Sequence, residues 1–262
     1  MNRPILRLLG GFTLELESRV PVVIPTRRAQ ALFAYLACSP LDSHSRDQLA
    51  LTFWGELPQA CTRHSLRQTL YVLRNALAPS GLSILGGDST SVSIDRSGFD
   101  VDALELERLT AIGSLEALQR ACTLYRGPFL AGIGAGDLAF EEWLLQERER
   151  LTGLAVRAHA KLADLQRAAG LTENAIRTAE NAMLIDPTEE LVHRMLMRLY
   201  LSTGRPGAAR RQYDKCARTL RREFGVDPDA ETKNLLREVS SARPTASLHS
   251  DRGSRSPSRA RR

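Results

Sequence analysis

The sequence has no long apolar run and only four cysteines, and both shortages restrict where the protein can work. Its apolar stretches are far shorter than the roughly 18 residues of a membrane span, and its N-terminus has no charged-then-apolar export signal. The cysteines (Cys38, Cys61, Cys122 and Cys216) are far apart and form no CxxC pair. This spacing argues against a zinc site or a disulfide framework and indicates buried thiols in a reducing compartment. We expect a cytoplasmic protein that does not contact a membrane.

Motifs of catalysis are also missing. The sequence contains no phosphate-binding P-loop, GxSxG nucleophile elbow, HExxH metal motif or GxGxxG dinucleotide motif. His159 and His193 are 34 residues apart, at the spacing of an internal repeat, which indicates packing positions rather than metal ligands. The sequence therefore predicts a protein that is not an enzyme and that uses no cofactor and no metal.

Acidic residues are absent from one long segment. There is no Asp or Glu between Glu56 and Asp88, although this stretch contains three arginines. The formal net charge of +6 is less informative, because residues 242–262 alone hold six Arg and one Asp. A surface cleared of negative charge suits a polyanion, so this segment makes DNA the first hypothesis.

Residues 1–98 have the pattern of a winged helix-turn-helix domain. Apolar and polar residues alternate over 6–16 around the turn at Gly10-Gly11, and residues 22–24 can add a third strand. Ser45 and Gln48 match a capping box at the start of a helix. Helical spacing of apolar residues predicts three helices, over 27–38, 45–54 and 61–77. A closing hairpin, the wing, is predicted over residues 82–94.

Beyond residue 100 the pattern is almost entirely helical. The predicted helices are 101–112, 114–125, 138–169, 171–185, 188–203, 206–224 and 229–240. A shift of 34 residues, the period of a tetratricopeptide helix pair, aligns His159 with His193 and Gly170 with Gly204. We therefore predict a mostly α fold with a small β component, in which an all-α tetratricopeptide-like repeat domain follows the winged helix. The predicted domains are 1–98 and 99–241, followed by a disordered basic tail over 242–262.

Several short strings, taken in order, resemble one family. They are Leu9-Gly10-Gly11-Phe12, Arg46-Asp47-Gln48-Leu49-Ala50, Leu66-Arg67-Gln68, Tyr125-Arg126-Gly127-Pro128-Phe129-Leu130, Glu142-Trp143-Leu144 and Leu220-Arg221-Arg222-Glu223-Phe224-Gly225-Val226. Their order and spacing resemble the Streptomyces antibiotic regulatory protein (SARP) family, in which an OmpR-type winged helix precedes a bacterial transcriptional activator domain. The resemblance covers roughly residues 5–240. It implies an activator that binds direct repeats in double-stranded promoter DNA, with a homodimer as one arrangement, and that recruits RNA polymerase through its sigma or alpha subunits.

The third predicted helix is the candidate for reading DNA. Its exposed face carries Arg67 and Gln68, whose side chains suit guanine and adenine edges in the major groove. The other residues predicted to contact DNA are His64, Tyr71 and Asn75 on the same face, Arg63 and Arg74 as phosphate ligands, Ser45 and Arg46 at the N-terminus of the second helix, and Arg27 and Arg28 on the first helix.

Other interpretations remain open at this point. The N-terminal domain could bind protein and serve a tetratricopeptide scaffold, or the protein could bind DNA as a repressor. The wing tip carries Asp88 and no Arg, which disfavours minor-groove reading. Four aromatic residues (Trp54, Trp143, Tyr125 and Phe129) are interpreted as core or inter-domain packing rather than as a ligand pocket. The basic tail could add nonspecific DNA affinity or be a solvated end.

Overall fold

Short strands and helices alternate at the start of the chain, and helices alone follow. The computed structural model describes residues 3–134 and 136–241, and the predicted basic tail lies outside them. The strands in these ranges are β1 (Ile5–Arg7), β2 (Thr13–Glu15), β3 (Pro21–Val22), β4 (Ser43–Ser45), β5 (Leu85–Gly86), β6 (Ser91–Ile94) and β7 (Asp100–Val101). The helices are α1 (Arg27–Cys38), α2 (Arg46–Trp54), α3 (Gln59–Leu77), α4 (Asp102–Ile112), α5 (Leu115–Leu124), α6 (Leu138–Ala168), α7 (Thr172–Ile185), α8 (Glu190–Ser202), α9 (Pro206–Phe224) and α10 (Ala230–Ser241). The predicted fold class is confirmed: the chain is mostly helical, with a small winged-helix β component at its N-terminal end.

Two small sheets frame the first three helices. One has the order β3-β2-β1-β7, in which β1 is antiparallel to β2 and parallel to β7. The other has the order β4-β6-β5. In it, β5 and β6 form the hairpin of the wing, and β4, which directly precedes α2, pairs with β6. A third strand is present, but the bounds predicted for it, 22–24, are wrong: β3 is Pro21–Val22. Ile24 lies outside the sheet, and its carbonyl accepts a hydrogen bond from Gln30 Nε2 (2.8 Å).

The start of α2 differs from the predicted capping box. Ser45 is the N-cap residue, but its side chain makes no capping hydrogen bond. The backbone of Ser45 is paired with Ser91 in the wing sheet, and the N–H of Arg46 donates to the carbonyl of Thr90 at 2.9 Å. The wing therefore satisfies the first backbone N–H of α2, while the Ser45 side chain makes no capping bond, and the capping-box prediction is wrong.

One hydrophobic core extends from the winged helix into the helices that follow. Phe53 of α2 and Phe140 of α6 have ring centroids 4.7 Å apart, and Tyr35 of α1 lies 4.8 Å from Trp143 of α6. Trp54 is 2% exposed, and the other three aromatic residues singled out from the sequence are buried or half-buried in the same core. These rings therefore pack rather than line a pocket. The core is continuous across residue 98, so the functional boundary predicted there stays a prediction.

A buried carboxylate joins the residues directly after β1 to the start of α4. Asp102 accepts hydrogen bonds from the N–H groups of Leu8 (2.7 Å) and Leu9 (3.2 Å) and from Nη2 of Arg126 (3.0 Å). Burial raises the pKa of Asp102 above its ordinary value. The N–H of Leu130 donates to the carbonyl of Leu8 at 2.8 Å, so the segment after α5 is also fixed to the residues directly after β1.

Gly10 is required where these segments meet. Its φ of +102° is a conformation that side chains disfavour. A Cβ placed there would lie 3.2 Å from the backbone carbon of Arg126, so the close approach of the two segments also needs a residue without a side chain.

The described residues up to Val192 form one compact unit, and those from His193 onwards form a second. In the second unit, Arg194 donates to Asp229 (2.6 Å) and Thr232 (3.0 Å), which ties α8 to the start of α10.

His193 is fully buried and its Nδ1 lies 2.8 Å from Nε2 of Gln212. In the first unit, Nδ1 of the buried His159 lies 2.8 Å from the carbonyl oxygen of Ala155. Both histidines are therefore buried and hydrogen-bonded inside the structure.

Candidate nucleic-acid interface

Helix α3 has one buried face and one exposed face. Leu66, Leu70, Leu73 and Leu77 recur at intervals of three and four residues, and each is at most 2% exposed. The opposite face carries the polar residues predicted from the sequence: His64, Arg67, Gln68, Tyr71, Arg74 and Asn75 are all exposed, and Tyr71 is 65% exposed. The leucine spacing therefore positions this polar, acid-free face towards solvent, where a duplex could reach it.

A cleft of about 320 Å³ lies beside the first half of α3. It is formed by the start of α2, by α3 and by the tip of the wing, and its lining residues are Ser45, Arg46, Asp47, Arg63, Leu66, Arg67, Ser89 and Thr90. The structure thus brings four of the predicted DNA-binding residues together. Asp47, Ser89 and Thr90 were not predicted from the sequence, because nothing in their local pattern places them next to α3.

Arg46 is held by the wing. Its Nε donates to the carbonyl of Asp88 at 2.8 Å and lies 3.3 Å from the carbonyl of Ser91, and the side chain is half-buried. These acceptors are 42 and 45 residues away along the chain. The guanidinium therefore positions the wing against α2, in addition to any contact with phosphate.

Arg63 is paired with an acidic residue of α2. Its Nε and Nη2 donate to the two carboxylate oxygens of Asp47 at 2.7 and 2.9 Å. The hydrogen bond from Arg63 to Asp47 raises the pKa of this guanidinium, and both side chains are exposed. In the free protein, the predicted phosphate ligand Arg63 is thus neutralised by a carboxylate that sequence reasoning did not assign.

The two arginines of α1 differ. Arg27 is exposed at the first position of the helix. Arg28 is half-buried, with its guanidinium carbon 5.4 Å from the centroid of the Trp54 ring and Nη2 4.0 Å from the carboxylate of Asp137. Arg28 therefore takes part in packing between α1, α2 and the start of α6, whereas Arg27 faces solvent.

The wing tip is negatively charged and rigidly held. The carboxylate of Asp88 accepts hydrogen bonds from the N–H and hydroxyl groups of Thr90 (2.7 and 2.8 Å) and Ser91 (2.8 and 3.1 Å). These donors, with the Thr90 N–H first, hold the pKa of Asp88 well below its usual range. A fixed carboxylate at this position disfavours insertion of the tip into the minor groove.

Among the described residues, no group of three or more His, Cys, Asp or Glu residues is arranged to hold a metal ion. Nor is any of the helices of residues 3–134 and 136–241 both long and apolar enough to cross a membrane.

Comparison with known proteins identifies the second half of the chain. Residues 102–240 match the sequence model of the bacterial transcriptional activator domain. The chain belongs to this family. The family expected from the sequence is therefore confirmed, and the protein is a SARP-type transcriptional regulator.

Two relatives are similar to this chain over most of their length. The chain is 27% identical over 251 residues to the transcriptional regulatory protein MoaR1 of Mycobacterium bovis and to MoaR1 of Mycobacterium tuberculosis. In each case the match covers 88% of this chain and 78% of the relative.

A solved structure has a similar fold. It is that of EmbR from Mycobacterium tuberculosis in complex with a low affinity phosphopeptide, and it is 22% identical with a TM-score of 0.69. The match covers 92% of this chain, which spans 65% of the length of the EmbR chain. At this identity the similarity establishes the fold alone.

Proposed function

We propose that this regulator binds DNA in a sequence-specific manner by placing α3 in the major groove. The single observation that carries the proposal is the exposed face of α3, which has no acidic residue and is backed by a buried leucine stripe. A winged-helix domain presents its third helix to a duplex in this orientation. Membership of a family of transcriptional regulators supports a nucleic-acid partner for that face.

The residues of the interface would divide between base reading and phosphate contact. Arg67 and Gln68 are both exposed on α3, where they would reach guanine and adenine edges. Arg74 and Arg27, both exposed, would contact phosphates, as would Ser45 at the N-terminus of α2. Arg63 would join them by exchanging the Asp47 carboxylate for a phosphate oxygen.

The remaining parts of the proposal concern partners. We infer that the protein works as an activator at the nucleoid, that it binds direct repeats as a dimer, and that residues 99–241 contact the sigma or alpha subunit of RNA polymerase. A repressor with the same fold is the alternative. Transcription in vitro from a bound promoter, with and without the protein, distinguishes the two: an increase in transcript supports activation, and a decrease supports repression.

Substitution on α3 tests the DNA-binding mode. A binding site is first selected from a randomised duplex pool with the full chain, and affinities are then measured by fluorescence anisotropy. Arg67→Ala should weaken binding by about 1–3 kcal/mol and relax base preference, whereas Arg74→Ala should weaken binding to all sequences and reduce the salt slope by about 1.

Arg177→Ala on helix α7 is the control, since Arg177 is also exposed and is not among the residues predicted to contact DNA. Unchanged affinity and base preference in the Arg67 variant would remove α3 from the reading surface. Failure of the chain to select any sequence from the pool would favour a protein-binding winged helix.

A further inference from the structure

Helix α9 carries the highest concentration of cationic side chains in the described second half of the chain. It carries Arg210, Arg211, Lys215, Arg218, Arg221 and Arg222 within its 19 residues. The net charge of residues 99–241 does not reveal this cluster, because acidic residues elsewhere in that range offset it. None of these side chains belongs to the interface proposed above, which is formed by α3, the wing and the start of α2, so that interface gives them no role.

The charges of α9 lie on one side. With about 100° of rotation per residue, the six cations fall within an arc of about 140°. Asp214 is the one acidic residue inside that arc. The buried residues of the helix (Ala209, Gln212, Cys216, Thr219 and Leu220) occupy the opposite side. The helix therefore turns a basic face, defined by these six cations and interrupted by Asp214, towards solvent.

Most of this basic face has no acidic partner. Arg221 pairs with Asp227 at 2.7 Å and Arg222 with Glu223 at 2.8 Å. The other four cations (Arg210, Arg211, Lys215 and Arg218) are exposed and pair with no acidic group among the described residues. Like charges held together without neutralisation repel one another, so a polyanion bound along the face would relieve a cost that the free protein carries.

The composition of the face distinguishes between polyanions. Protein-binding surfaces concentrate their affinity in aromatic or aliphatic anchors, and single-stranded nucleic acids stack on aromatic rings. The basic face has neither kind of residue. Tyr213 lies towards the core, and Phe224 is the last residue of the helix and falls outside the arc of about 140°. A row of cations without anchors suits the phosphates of a duplex, which present one negative charge about every 1.7 Å along the axis.

We propose that the basic face of α9 is a second DNA-binding surface, which contacts the phosphate backbone of duplex DNA without reading sequence. Its cations extend over about 18 Å from Arg210 to Arg222, at 1.5 Å per residue. The surface goes beyond base reading by α3 and does not depend on it. Its role is to add salt-dependent affinity for any duplex.

The test measures the salt dependence of binding to a duplex of random sequence, with the full chain in every case. The variant Arg210→Gln/Arg211→Gln/Arg218→Gln removes three cations and keeps helix propensity, since Arg and Gln are similar in helices. The matched control Arg157→Gln/Arg177→Gln/Arg237→Gln removes three cations that are also exposed on helices. Each phosphate contact contributes about 0.9 to the slope of log affinity against log salt. We expect the α9 variant to lower the slope by about 2–3 and the control to leave it unchanged.

Three results would overturn the proposal. One is an equal slope in the α9 variant and the unsubstituted chain, and a second is an equal decrease in the control, which would show an effect of total charge. The third is a variant that keeps its duplex affinity but loses affinity for poly-glutamate or single-stranded RNA, which would assign the face to another partner. Because the duplex has no selected site, the result is independent of the Arg67 experiment, and failure of either proposal leaves the other standing.

Discussion

The shared core predicts that a destabilising substitution in the helices after residue 100 also destabilises the winged helix. Phe140 is fully buried in α6, with its ring 4.7 Å from Phe53 of α2 and 5.4 Å from Trp143. Truncation of a buried Phe to Ala costs about 3–5 kcal/mol, and two aromatic pairs at about 0.5–1.5 kcal/mol each place this site in the upper half of that range. We expect Phe140→Ala to lower the free energy of unfolding by about 4 kcal/mol, a large part of the about 5–15 kcal/mol of a typical domain.

Hydrogen exchange measures where that loss appears. If the core acts as one unit, amides of α1 and α2 should lose as much protection as amides of α6, although the substitution lies outside residues 1–98. Leu138→Ala is the control on the same helix, since Leu138 is 68% exposed and should change the free energy of unfolding by no more than about 0.5 kcal/mol. At a temperature near the midpoint of thermal unfolding of the Phe140→Ala variant, its affinity for DNA should fall together with the protection of α1 and α2.

One result would refute this reasoning. If Phe140→Ala lowers protection in α6 by the expected amount and leaves α1 and α2 unchanged, the winged helix is a separate cooperative unit. The ring contacts with Phe53 would then be a packed but energetically independent boundary, and the predicted division at residue 98 would describe folding as well as function.

Three further predictions concern titratable groups. Asp47→Asn removes the carboxylate that neutralises Arg63, so it should tighten binding to a selected site in anisotropy titrations; unchanged or weaker binding would contradict the exchange with phosphate. Burial lowers the pKa of His44, so the unfolded state binds more protons as the pH falls below about 6.5 and stability decreases; His44→Phe should lose less stability between about pH 7 and about pH 5 in urea titrations, and an equal loss would count against it. Burial raises the pKa of Asp102, so the folded state binds more protons and stability falls as the pH rises above about 4; Asp102→Asn should remove that decrease, and an identical pH profile would show that another group causes it.

The helices could be predicted from the sequence because leucine and alanine spacing records which face is buried. The predicted α1 has the observed bounds, and α3 begins only two residues earlier than predicted, at Gln59 after Pro58. Strands β4 and β7 were missed because neither belongs to an alternating apolar run: β4 is Ser43-His44-Ser45, and β7 is two residues directly before α4.

The candidate site could be predicted only in part. The exposed face of α3 follows from its leucine stripe, which is local information. The partners of three arginines do not: Arg63 binds Asp47, 16 residues away, Arg46 binds the wing, and Arg28 lies over Trp54. Such contacts depend on how the elements pack, so no pattern within one segment distinguishes a structural arginine from one that is available to DNA.

During synthesis, the backbone of Leu8 cannot complete its hydrogen bonds until much later residues have been made. Its N–H is bound by Asp102 and its carbonyl by the N–H of Leu130. Translation adds about 5–20 residues per second, so Leu8 is synthesised about 6–24 seconds before Leu130. A nascent chain halted after residue 98 would present an unfinished sheet edge, and expression of that fragment by itself would leave these backbone groups to water or to aggregation.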